Sequence, residues 1–225
     1  MDYTELEKML GYHFNDPGRL DVAFTHKSYS NELHIKRDSY ERYEFLGDAI
    51  LEFISSDTLF QEYPDHTEGQ LTKLRASLVC EYTLSQITRQ LGFGKYLYLS
   101  HGEELTGGRD RSSILCDLFE SVLGAIYIDG GIEPAKEYVN KFLLTDIEKK
   151  TTFHDAKSIL QEFAQGHGES LIYKAISEKG PEHRKQYEVA AVLDGKEMEH
   201  GVGSTKKMAE QVAAHKTILK INLED

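Results

Sequence analysis

Between Ser112 and Tyr127 the chain reads SSILCDLFESVLGAIY, a stretch in which only Asp117 and Glu120 carry charge. Its length and the spread of Leu115, Leu118, Phe119, Val122, Leu123 and Ile126 predict a helix that is apolar over most of its circumference. The spacing of three sets both carboxylates on one side of that helix. Two anions in so apolar a segment are costly unless a cation sits between them. A hard divalent ion is the natural counter-charge, because Mg²⁺ and Mn²⁺ accept carboxylate oxygens. For this segment alone, the alternative is a solvated acidic stripe on an amphipathic helix.

A second segment favours the metal. Tyr40 to Ile54 reads YERYEFLGDAILEFI, with Phe45, Leu46, Ala49, Ile50, Phe53 and Ile54 forming an apolar face at helical spacing. Glu41, Glu44, Asp48 and Glu52 follow at steps of three, four and four, so they line an adjacent stripe. Like charges so spaced repel by a few tenths of a kcal/mol per pair. The helix macrodipole accounts for Glu41 but not for Asp48, two turns in. Gly47 sits mid-helix, where it costs about 1 kcal/mol relative to Ala. A close approach by another backbone or by a ligand would justify it.

The chain has 225 residues, ten Phe, thirteen Tyr and no Trp, enough apolar material for one or two domains. The acidic, amphipathic start MDYTELEKML lacks the basic and apolar regions of a secretory leader, so none is expected. No uncharged apolar run reaches about 18 residues, so no membrane span is expected. Cys80 and Cys116 stand apart, without CxxC or Cys/His clustering. They predict small buried side chains in a reducing compartment, the cytoplasm, rather than a zinc cluster. The net charge of −12 argues against a generic polyanion binder; any nucleic acid must be held by local cations and bridging metal.

Residues 1–148 predict a helical domain, with segments Tyr3–Leu10, Pro17–Thr25, Tyr40–Tyr63, Thr67–Leu91, Ser112–Ile128 and Glu133–Glu148. Leu97 to Arg111 reads as a polar, glycine-containing loop, and 149–154 (KKTTFH) as a linker. Beyond it the pattern changes: a helix at Ala156–Gln165, strands at Leu171–Ser177, Tyr187–Leu193 and Lys196–Gly203, and a closing helix at Thr205–Ile221. Asp194-Gly195 is a strong type I′ hairpin signal. Residues 155–225 thus form an α-β-β-β-α unit of the α+β class.

These segments carry a family resemblance. ERYEFLGD (Glu41–Asp48) is similar to the ribonuclease III signature, and SILCDLFESVLGAIYIDGG (Ser113–Gly131) resembles that family's second acidic motif. TEGQLTKLRASLV (Thr67–Val79) and HGEELTGGR (His101–Arg109) resemble its intervening segments in the same order, and 154–222 resembles its double-stranded RNA-binding domain. Tyr43 stands where Leu is more usual, a change that touches no acid.

The resemblance implies that Glu44, Asp48, Asp117 and Glu120 hold Mg²⁺, with Mn²⁺ as substitute, and that Asp48 and Glu120 are essential to catalysis. It assigns Glu41 and Glu68 to the site's margin and the subunit contact. Phe45 falls where the family sends an aromatic side chain into a socket on a second subunit; in a monomer it would be core. It further implies a homodimer that cuts each strand of double-stranded RNA, leaving 5′-phosphate and 3′-hydroxyl ends with short 3′ overhangs, in rRNA precursor and mRNA processing or decay. No small-molecule cofactor is expected. In the second domain the matching positions are Gln161, Glu162 and Gln165 on the first helix, His183 in the loop Gly180-Pro181-Glu182-His183, and Thr205, Lys206 and Lys207 opening the last helix.

The chemistry agrees with this assignment. Phosphodiester hydrolysis needs an in-line nucleophile, neutralised phosphate oxygens and a stabilised leaving oxygen, all of which a carboxylate-held metal and its water supply. Two rival classes remain. A non-catalytic RNA-binding dimer would be expected to have lost acids that are present here. A di-iron helical bundle would need His at Glu-x-x-His spacing, which neither acidic helix offers.

Overall fold

A computed structural model describes residues 2–33, 38–147, 150, 153, 156–180 and 185–224. The chain divides into two compact units, residues 1–147 and 148–225.

Among the described residues the first unit is helical: α1 (Thr4–Leu10), α2 (Gly18–Ala23), α3 (Lys27–Glu32), α4 (Glu41–Glu62), α5 (Glu68–Leu78), α6 (Glu81–Gln90), α7 (His101–Leu105), α8 (Ser112–Gly130) and α9 (Ile132–Phe142). The apolar stretch of the opening motif becomes α8, in which every residue from Leu118 to Ile126 except Glu120 is buried. It packs against α2, α4, α6 and α9, so it is the axis of the unit's core. None of these helices is long and apolar enough to cross a membrane.

Several expectations need correction. The predicted continuous helix 67–91 breaks at Val79-Cys80, where Cys80 adopts an extended conformation before α6. The carbonyl of Ser77 there accepts from the Thr83 hydroxyl at 2.8 Å, a side-chain substitute for the lost helical bond. Leu78 and Leu84 bury into one core on both sides of the break, so the apolar period runs through it. At the N-terminus of α5 the side chains of Thr67 and Gln70 form a reciprocal capping box.

The predicted loop 97–111 holds α7 and a 3₁₀ turn at Gly108–Asp110. It is organised by cations: the Arg109 guanidinium donates to the carbonyl of Leu97 at 3.0 Å and to the Glu104 carboxylate, and Arg111 pairs with buried Glu103. The helix α3, unforeseen, is capped by the His26 ring, which accepts from the Ser28 amide. The helix expected to run to 148 ends at Phe142.

The second unit consists of α10 (Ala156–His167), β1 (Leu171–Lys179), β2 (Gln186–Leu193), β3 (Lys196–Gly203) and α11 (Lys206–Glu224), an antiparallel sheet in the order β1-β2-β3 with its helices on one core. Asp194 and Gly195 both take positive φ, +46° and +81°, as a type I′ turn requires. β3 lies directly on α11: a Cβ at Gly201 would stand 2.0 Å from the carbonyl oxygen of Ala209. Within the expected linker, Phe153 is buried and meets His215 of α11 edge-on at 5.4 Å, so it belongs to this unit's packing.

Candidate metal centre

Two glycines bring the acidic helices together. A Cβ at Gly47 would lie 1.9 Å from the carbonyl oxygen of Glu120, and one at Gly124 would lie 2.2 Å from that of Tyr43. α4 and α8 therefore cross backbone to backbone, closer than any side chain would allow. Glu44 lies one turn before Gly47, and Gly47 touches the backbone of Glu120 itself. Asp117 lies one turn before Glu120.

As a result Glu44, Asp117 and Glu120 each offer a carboxylate oxygen within 4.8 Å of the others. Two oxygens on one Mg²⁺ are at most about 4.2 Å apart, twice the bond length, so small rotations bring all three into one shell. Among the described residues no lysine or arginine forms an ion pair with any of the three. Lys27, whose charge is felt at Glu44 and Asp117, is paired with Glu41 at 3.0 Å.

The electrostatics show how strongly these carboxylates repel one another. Burial first, then the charges of Asp117 and Glu41, push the Glu44 carboxyl up to about 7. Burial, then Asp48, Asp117 and Glu44, push Glu120 up to about 8. Asp117 is also raised by burial, with partial relief from the Tyr40 hydroxyl, which donates to its Oδ2 at 2.9 Å. Three partly buried carboxylates that share space and lack a counter-charge fit a hard divalent cation in donor type and in number.

The fourth predicted ligand behaves differently. Asp48 is exposed and stands outside the tight trio, although its charge is felt at Glu120 and Glu44. Glu41 is exposed and bound to Lys27 and Ser39. Glu52, on the same predicted stripe, turns away to Arg75 at 2.8 Å.

Phe45 corrects the expectation that a lone chain would bury it: it is 80% exposed. Phe53 and Phe60, further along α4, are exposed as well. The apolar face read from the sequence therefore splits into a buried stripe, with Ile50 and Ile54, and an exposed aromatic one. Phe53 and Phe60 border a hollow of about 550 Å³ whose wall also includes Leu71, Arg75, His66 and the predicted accessory residue Glu68.

In the second unit Gln161, Glu162 and Gln165 are exposed along α10. Thr205 caps α11 by accepting from the Met208 amide at 3.1 Å, and Lys206 and Lys207 are exposed in its first turn. His183 lies outside the described residues.

Two neighbours of the acids escaped sequence reasoning, Tyr40 and Cys116. The Cys116 sulfur lies 3.9 Å from Oε1 of Glu120. Its i, i+4 spacing from Glu120 was the available signal. Tyr40 had none, because its contact spans 77 residues.

Comparison with known proteins gives consistent matches. A family model described as Ribonuclease-III-like matches residues 16–147, and one described as a double-stranded RNA binding motif matches residues 156–221. Ribonuclease 3 of Streptococcus equi subsp. zooepidemicus is 43% identical over 221 residues, covering 96% of each chain. Ribonuclease 3 of Bacillus velezensis is 43% identical over 224 residues, 97% of this chain and 90% of its own. Among solved structures, a nuclease domain of ribonuclease III from Campylobacter jejuni, described for flexibility in a region involved in dimer formation, aligns with a TM-score of 0.60 at 38% identity. That alignment covers 66% of this chain and 98% of the other.

Proposed function

The chain belongs to the ribonuclease III family and carries a double-stranded RNA-binding domain, and from this we propose that it hydrolyses double-stranded RNA with a divalent metal held by Glu44, Asp117 and Glu120. The observation that carries the reading is the gathering of three carboxylate oxygens within 4.8 Å, with Glu44 and Glu120 raised by burial and mutual repulsion. Such an arrangement is unstable by itself and favourable around a cation.

When bound, Mg²⁺, or Mn²⁺ in its place, would polarise the scissile phosphate and lower the pKa of a water. The residues supply the rest. Tyr40 fixes Asp117 through Oδ2, which leaves Oδ1 for the ion. Asp48, at the solvent edge, accepts a hydrogen bond from the attacking water and orients it in line with the leaving O3′. Formation of the new P–O bond releases a water proton to solvent, the P–O3′ bond breaks, and the departing oxygen takes a proton from solvent, leaving a 5′-phosphate and a 3′-hydroxyl. No step uses the RNA 2′-hydroxyl as nucleophile, so no cyclic phosphate forms.

Double-stranded RNA is held by shape and backbone, since its major groove is too deep for side chains to read. Gln161, Glu162 and Gln165 meet one minor groove, His183 the next, and Lys206 and Lys207 at a helix N-terminus meet phosphate. With so few cations, the salt dependence of binding corresponds to about two to five phosphates per domain. The exposed Phe45, Phe53 and Phe60 favour a homodimer, and the family resemblance adds one cut per strand with short 3′ overhangs. Processing of rRNA precursors and mRNA in the cytoplasm is the role that follows.

The test is incubation with long duplex RNA, with and without Mg²⁺. Cleavage is expected only with metal, and Glu120→Gln is expected to abolish it while duplex binding persists. Near-normal turnover by that variant overturns the assignment.

A further inference from the structure

We propose, on the reading of Glu44, Asp117 and Glu120 as metal ligands, that Lys27 is a further catalytic residue: its ammonium holds a non-bridging oxygen of the scissile phosphate, and Glu41 is the strut that aims it.

The charge at the site calls for such a cation. Glu44, Asp117 and Glu120, with Asp48 and Glu41 at their margin, are five carboxylates on α4 and α8. One divalent ion leaves this surface three charges negative, and the phosphodiester brings a further negative charge to it. A cation fixed where the phosphate arrives offsets that repulsion and needs no rearrangement as charge builds on the phosphate oxygens. Lys27 has the required place. It opens α3, with Nζ 3.0 Å from Oε1 of Glu41, and its charge is felt at both Glu44 and Asp117. Its side chain is 61% exposed, so a phosphate can reach it.

The pair is fixed from both ends. The Ser39 hydroxyl donates to Oε2 of Glu41 at 3.1 Å while Lys27 donates to Oε1, so both carboxylate oxygens are engaged. An ammonium has three N–H donors; one goes to Glu41 and two remain for phosphate. The backbone around Lys27 is pinned as well. The Thr25 carbonyl accepts from the Tyr40 amide at 2.9 Å, the His26 amide donates to the Tyr98 carbonyl at 3.1 Å, and the Ser28 hydroxyl accepts from the Ser100 amide at 3.1 Å. Tyr40 is also the residue whose hydroxyl holds Asp117. It therefore ties the segment that carries Lys27 to a metal ligand, and keeps the ammonium in register with the acids. Lys27 transfers no proton and forms no covalent bond; it neutralises charge. An ion pair as exposed as Lys27–Glu41 adds little to stability, so replacing the lysine leaves the fold in place.

The test uses the full chain. Binding of duplex RNA is measured against salt concentration for Glu120→Gln, which binds without cutting, and for the same protein carrying Lys27→Gln. The slope of log affinity against log salt is expected to become shallower by about one unit for each Lys27 that touches the duplex. In the chain with its acids intact, Lys27→Gln is expected to slow single-turnover cleavage at least tenfold, the low side of what one charge-stabilising donor contributes. Lys27→Arg, which keeps the charge and the donors, is expected to recover most of that loss. The rise in melting temperature on adding Mg²⁺ is expected to persist in Lys27→Gln. A salt slope and a cleavage rate close to the parent's in Lys27→Gln overturn the role of the lysine and leave the nuclease reading intact. A slower rate with an unchanged slope and no recovery by arginine marks a structural contact and overturns it equally. Absence of both cleavage and Mg²⁺ stabilisation in the unmodified chain overturns the metal site itself, and the proposal with it.

Discussion

Gly47→Ala sets two physical effects of opposite sign against each other. Helix propensity favours the substitution by about 1 kcal/mol, since Gly47 lies inside the 22-residue α4. The crossing opposes it. The new methyl would stand 1.9 Å from the carbonyl oxygen and 2.6 Å from the carbonyl carbon of Glu120, both backbone atoms of the most deeply buried helix. Ordinary contact needs more than 3 Å, so α4 and α8 must separate by at least ~1 Å, and no side-chain rotation can relieve the clash. Overpacking of this kind costs about 1–3 kcal/mol, with rigid backbone on both sides at the upper end. The net expectation is a loss of ~2 kcal/mol, or about 4–8 °C in melting temperature for a unit of this size. The same separation takes the carboxylate oxygens beyond the span of one ion, so the rise in melting temperature on adding Mg²⁺ should shrink as well. Gly124→Ala strikes the same crossing from the other helix, at 2.2 Å from Tyr43. The double variant should lose less than the sum, because the helices are already apart. Urea unfolding followed by circular dichroism reads all three proteins. A Gly47→Ala protein as stable as the parent, or more stable, refutes the close approach.

Other consequences follow from the acids and the exposed stripe. Glu44 and Glu120 have folded pKa values of about 7 and about 8, above their ordinary 4.5, so the folded metal-free protein holds their protons more tightly than the unfolded chain does. Its stability should therefore fall as pH rises from about 4.5 through 8, and saturating Mg²⁺ or Glu120→Gln should flatten that slope in calorimetric scans; a rising slope in the metal-free protein contradicts the carboxylate crowding. Tyr40→Phe removes the hydroxyl held at 2.9 Å by Asp117 and should weaken Mg²⁺ binding by about 10–100-fold in calorimetric titration, with the fold intact. In the proposed homodimer Phe45 is an interface side chain, so Phe45→Ala should shift the sedimentation equilibrium toward monomer, and an unchanged equilibrium contradicts that role. A buried Phe is worth about 1.5–3 kcal/mol and a two-fold interface buries it twice.

The parts of this fold that could be read in the sequence are those where local pattern and global packing agree. Asp117 and Glu120 inside an apolar run marked α8, and Asp194-Gly195 marked the hairpin, because a three-residue spacing and a two-residue turn are local facts. The break at Val79-Cys80 was hidden because Leu78 and Leu84 keep facing one core across it. Periodicity likewise gave Phe45, Ile50, Phe53 and Ile54 as one face. It records which residues are apolar and cannot record where neighbouring helices stop covering them.

The site itself shows the same division. Spacing grouped Glu44 with Asp48, yet only Glu44 joins the oxygens of α8, since the crossing at Gly47 and Gly124 decides which side of α4 faces Glu120. The glycine that looked anomalous as a helix residue is thus the most informative one, a local weakness of about 1 kcal/mol kept where it lets two backbones touch. From Leu118 to Ile126 every residue of α8 except Glu120 is buried, so the helix cannot rotate its two acids toward water without exposing Leu118, Phe119, Val122 and Leu123. At about 1.5–3 kcal/mol for each such side chain, that exposure outweighs the repulsion among three carboxylates, and the core holds them in the geometry a cation needs.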